Sequence, residues 1–106
     1  LPYVMTYNRS HATAEFAAIG RALGSTAPNE DGCADAAIEL VRALFERIGI
    51  PVNLKLLGLA EDKLDWTGEQ ALTVSRLIDN NPRPLDAQAM ARLVGAAYSG
   101  ILQHVS

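Results

Sequence analysis

Apolar residues in this chain recur at three- and four-residue intervals, the repeat that gathers them on one face of an α-helix. Leu1, Val4 and Met5 open the sequence at that spacing. No capping residue precedes them, and Pro2 suits only a first turn, so the start reads as a cut from something longer. After a connection at Asn8-Arg9-Ser10-His11, a second helix is expected over residues 12–23. It would bury Phe16, Ile19 and Leu23, with Ser10 or Thr13 as cap and Gly24 as terminator. The best-defined helix spans residues 34–48, where Ala37, Leu40, Val41, Leu44, Phe45 and Ile48 hold one register. Gly49 and Pro51 stop it.

Residues 51–59 break the pattern. Val52, Leu54 and Leu56 alternate as in a strand, but no second run could pair with them, so an extended connector with inward apolar side chains is expected. One helical turn over residues 60–64 then leads to a helix over residues 67–79, in which Leu72, Arg76 and Asp79 share a row. Pro82 and Pro84 end it by removing donors and biasing Asn81 and Arg83 to extended angles. A last helix over residues 87–99, capped by Asp86, would bury Met90, Leu93, Val94, Ala97 and Ile101. The pattern predicts an all-α bundle of five or six short helices, forming a single helical domain over residues 1–106.

Composition sharpens this. Half of the residues are apolar and aromatics are few. That mix favours close-packed helices over a sandwich rich in Val, Ile, Thr and Tyr. The net charge of −3, with basic residues scattered singly, argues against nucleic acid as a partner. No apolar run is long enough to span a bilayer. A lone Cys33 fits a reducing cytoplasm and is read as inert or solvent-facing, beside the acidic Asn29-Glu30-Asp31-Gly32.

Candidate chemistry is sparse. His11 and His104 lie far apart, and the His11/Glu15 pair is too little for a metal site. The dispersed glycines form no phosphate loop, and Ser75 and Ser99 lack a nucleophile-elbow context. Glu61, Asp62 and Asp65 read as a solvated helix face. Trp66 reads as packing at a helix junction. Taken by its residues alone, the chain is a helical domain without catalytic apparatus.

Two segments read together point further. Leu1-Pro2-Tyr3-Val4-Met5-Thr6-Tyr7-Asn8 resembles the Leu-Pro-x-Val-Met-x-(Phe/Tyr)-Asn stretch of the iron-containing alcohol dehydrogenases. Asn81-Pro82-Arg83-Pro84 resembles the Asn-Pro-Arg loop before the family's last helix. Ile19-Gly20-Arg21-Ala22-Leu23-Gly24, Gly49-Ile50-Pro51 and Leu57-Gly58-Leu59 fall between them in the family's order, so the resemblance covers about residues 1–100. It implies the C-terminal part of a dehydroquinate synthase-like, iron alcohol dehydrogenase helical domain.

By that resemblance, an N-terminal α/β half would bind NAD or NADP, and one Asp and three His would hold iron or zinc. The last ligand would lie a few residues before Leu1. This segment would then hold no metal ligand, cofactor site or catalytic residue, and alone it would be inactive. Its partners would be the missing nucleotide-binding half and further copies of itself, as a dimer or larger oligomer. The resemblance makes Leu77 and Ile78 candidates for the substrate entrance, where many relatives have Cys-Thr, and Asn81, Pro82 and Arg83 a structural loop. A maleylacetate reductase or glycerol dehydrogenase relative, or a free-standing helical interaction module, are the alternatives.

Overall fold

The structure is a computed structural model that describes residues 1–105. Among the described residues, six α-helices make up the architecture and no strand occurs. Helix α1 covers Pro2–Asn8, with Pro2 in the first turn, where its missing N–H costs nothing. The Leu1 carbonyl accepts its first hydrogen bond, from the Met5 N–H at 3.0 Å. A 3-10 turn over Arg9–His11 leads into α2, Thr13–Ala22. No side chain caps α2. The expected caps are engaged elsewhere: Thr13 Oγ1 donates to the Arg9 carbonyl, and Ser10 Oγ pairs with His11 Nδ1.

Helix α3, Glu30–Arg47, starts earlier than its apolar register indicates. Asn29 sets the start, because its side-chain oxygen accepts the Gly32 N–H at 2.7 Å. Glu30 and Asp31 then occupy the first turn, where the helix dipole favours negative charge. The expected extended connector is instead a series of turns. Asn53 Oδ1 accepts the Leu56 N–H at 2.8 Å, and the Leu54 carbonyl accepts from Leu57 and Leu59. These bonds curl the chain tightly enough to turn Leu56 out to solvent, while Val52 and Leu54 stay half-buried.

The helix expected over residues 67–79 is two helices. After a 3-10 turn at Glu61–Lys63, α4 runs over Leu64–Leu72 and α5 over Ser75–Ile78. Thr73 and Val74 cause the break. Their N–H groups bond three residues back, the Thr73 hydroxyl also donates to the Gln70 carbonyl at 2.6 Å, and Val74 leaves helical geometry at ψ 70°. Helix α6, Ala87–Ser99, carries the expected Asp86 cap, which accepts the Ala89 N–H at 2.7 Å. Gly100, in the left-handed region at φ 82°, ends it before a last 3-10 turn over Leu102–Val105.

The core divides into three clusters along a molecule 43 × 30 × 21 Å in extent. Tyr7, Ala89, Met90, Leu93, Val94, Ala96 and Val105 form the largest, with Ile78 packed against it. Met5, Ala37, Ile38 and Leu102 form a middle cluster. At the far end Ala17, Cys33 and Ala34 hold α2 against α3. Small residues make that contact, so the expected burial of Ile19 and Leu23 is not seen, and both side chains stand exposed. The reason is at Gly20: a Cβ there would lie 2.0 Å from the Cys33 carbonyl oxygen. The helices approach along Ala17 and Gly20, which rotates the larger residues away. Ile48 and Ile101, both assigned to buried faces, are likewise exposed at their helix ends.

Candidate functional site

The densest polar arrangement lies where the end of α1 meets the loop between α5 and α6. Asn8 is a buried polar side chain, 5% exposed. Its Nδ2 donates to Asn81 Oδ1 at 2.7 Å, and Asn81 Nδ2 donates back to Asn8 Oδ1 at 2.8 Å. Asn81 Nδ2 also donates to the Arg83 carbonyl. Arg83 reaches across to α1, donating from Nη1 to the Tyr7 carbonyl at 3.0 Å. Its guanidinium carbon lies 4.1 Å from the centre of the Tyr7 ring, a stacked cation–π contact. The Tyr7 hydroxyl completes the arrangement by donating to the Pro84 carbonyl.

Two residues of α1 are thus joined to three of the loop, more than seventy positions away in sequence. The apolar face of α1 puts Met5 into the middle cluster and Tyr7 into the largest, which fixes the helix. Pro82 and Pro84 keep the loop from becoming helical, so its carbonyls are available to side chains. Each of these bonds ties a side chain to a side chain or a backbone carbonyl, and together they join α1 to the loop.

Of the candidates at the substrate entrance, Leu77 stands on the surface of α5, whereas Ile78 is half-buried against the core. The structure therefore splits the pair between solvent and interior. Sequence reasoning took residues 8–11 as a bare connection and missed Tyr7 and Asn8 as partners of the loop. It also missed Arg9, whose Nε donates to Asp35 at 2.8 Å and whose Nη2 lies 3.2 Å from Asp31, tying the connection to α3. The signal was present: Asn8 and Asn81 both lie in the quoted motifs.

Other candidates lie apart. Glu61, Asp62 and Asp65 are exposed, as is Trp66, expected to pack at a helix junction. Cys33 is buried, not solvent-facing, and its Sγ donates to the Ala27 carbonyl. Burial pushes the Tyr3 phenol above its ordinary range, partly opposed by the positive charge of Arg42. Among the described residues no three His, Cys, Asp or Glu side chains gather where they could hold a metal ion. No helix there is long and apolar enough to cross a membrane.

The sequence profile of the Fe-containing alcohol dehydrogenase family, C-terminal part, matches residues 1–98. That span includes the start of each described α-helix and the whole of the Asn8–Asn81 contact. The chain belongs to this family. Among curated relatives, a maleylacetate reductase of Burkholderia cepacia is 34% identical over 95% of this chain and 25% of its own length. An NADPH-dependent butanol dehydrogenase of Clostridium saccharobutylicum is 28% identical over 94% of this chain and 26% of its own. A long-chain-alcohol dehydrogenase of Geobacillus thermodenitrificans is 30% identical over 96% and 26%. No solved structure matches the chain. The chain spans about a quarter of the length of the curated relatives it matches.

The iron in the family's name sets a test for the residues of this segment. A resident metal needs several nitrogen, oxygen or sulfur donors converging on one point. Among the described residues no such convergence of three or more His, Cys, Asp or Glu side chains occurs.

Proposed function

We propose that this chain is the C-terminal helical part of an NAD(P)-dependent, metal-dependent alcohol dehydrogenase, which in full transfers hydride between an alcohol and nicotinamide. The observation that carries the reading is the family match over residues 1–98, set beside relatives four times as long. The dinucleotide site and the iron or zinc ligands belong to the remainder. What the segment contributes is shape: the Tyr7, Asn8, Asn81 and Arg83 contacts hold the loop and, through Ile78, position α5 and its surface residue Leu77. Asn81, Pro82 and Arg83 act as scaffold, and Leu77 borders the substrate path. The whole protein works in the cytoplasm as an oligomer.

The test is direct. The full-length protein, supplied with iron or zinc and NAD or NADP, turns over alcohols, and the purified 106-residue chain does not. Turnover by the segment alone would sink the proposal. A second reading is favoured by the 34% identity to a maleylacetate reductase. Under it the full-length protein reduces maleylacetate and leaves butanol and long-chain alcohols untouched. Parallel assays of these substrates decide between the two.

A further inference from the structure

An apolar pocket of about 220 Å³ opens beside the start of α1. Leu1 and Tyr3, Phe45 of α3, Ala97 of α6, and Ile50 and Leu57 are among the residues that line it. Leu1, Ile50 and Leu57 are large apolar residues left exposed, Leu57 by 63%. The polar groups of the rim make bonds within the chain. Tyr3 donates to the Val52 carbonyl, Arg42 to the Gly100 carbonyl, and Asn53 accepts from Leu56. The pocket is also smaller than the roughly 300–1,000 Å³ usual for small-molecule sites. It suits a few apolar side chains of a protein segment better than a polar ligand.

We propose that this pocket receives apolar side chains from the polypeptide that leads into Leu1 in the full-length enzyme. The interface between this segment and the remainder is then centred on Leu1, Ile50 and Leu57. The inference rests on the reading of the chain as the C-terminal part of a longer enzyme. Two observations choose this occupant over a second copy. Relatives extend the matched segment about fourfold, and the match is to the family's C-terminal part, so the additional chain arrives through Leu1. Leu1 itself lines the pocket, so residues just ahead of it are tethered at the mouth. A tether of that length gives an effective concentration in the range of roughly millimolar, which a second copy in dilute solution does not reach.

Hydroxyl-radical footprinting and cross-linking of the full-length enzyme test the proposal. Ile50 and Leu57 should be labelled several-fold more slowly in the native enzyme than in its denatured form. A cross-linker placed through Leu57→Cys should join residues upstream of Leu1 in the same polypeptide, which mixed heavy and light isotope copies distinguish from another subunit. I50E/L57E should speed proteolysis around Leu1 several-fold, whereas I50V/L57M should leave it unchanged. Ile50 and Leu57 labelled freely in an enzyme that turns over its substrate would overturn the docking and leave the functional reading intact. Cross-links only between copies would overturn it too. Protection with same-chain cross-links in a protein that oxidises no alcohol would uphold the docking while the functional reading fell.

Discussion

Asn8 illustrates what a single buried amide requires. With both of its polar atoms withdrawn from water, it depends on Asn81 for one donor and one acceptor. Asn81→Ala should therefore destabilise the chain by about 1–3 kcal/mol, the usual cost of leaving a buried polar group unsatisfied. Urea unfolding checks this, and the double variant N8A/N81A should lose less than the sum of the two single changes. Tyr3 supplies a second prediction at this scale. Its phenol is held above the ordinary value of about 10 by burial, so the folded state binds that proton more tightly than the unfolded chain. The stabilisation is fully present below about pH 10 and is lost as pH rises through the folded-state value. Phenolate absorbance should show a late-titrating step, and Tyr3→Phe should remove it and flatten the alkaline limb of the stability curve.

Between elements, the close approach of α2 to α3 depends on one missing side chain. Gly20→Ala improves helix propensity by about 1 kcal/mol, yet its Cβ would meet backbone, which no rotamer change relieves. A net loss of about 2–3 kcal/mol is expected, at the upper end of overpacking costs. Gly95→Ala is the control: it lies within α6 with nothing within 4 Å of the added carbon. There a gain of about 0.5–1 kcal/mol is expected. Thermal unfolding of the two variants should move in opposite directions. The same contact explains what the sequence concealed. Periodicity located α2, α3 and α6 because a stripe of apolar residues is a property of one helix. It misassigned Ile19 and Leu23 because glycine and alanine can carry a buried face whenever another backbone comes close enough, and that depends on the partner. The break at Thr73 and Val74 was hidden for a similar reason, since a local side-chain bond to the Gln70 carbonyl overrode a continuous apolar row. The Asn8–Asn81 contact needed the fold itself, although each motif was visible alone.

For the whole molecule, the decisive quantity is apolar surface left uncovered. Leu1, Ile48, Ile50, Leu56 and Leu57 are all exposed, and three of them line one pocket. Exposed apolar surface drives association when its ordinary cover is absent. On the proposal that an upstream polypeptide supplies that cover, the separate 106-residue chain has only another copy at hand. The separate chain should therefore form dimers or larger species whose weight-average mass rises with concentration in light scattering. Because the driving force is burial of apolar surface, sulfate should strengthen the association, whereas a contact between opposite charges would weaken with added salt. I50E/L57E should shift the population towards monomer without lowering the unfolding temperature of the monomer, since both side chains already face solvent there. A chain that stays monomeric at every concentration, or associates equally well with both glutamates in place, would show that this face is not the adhesive one.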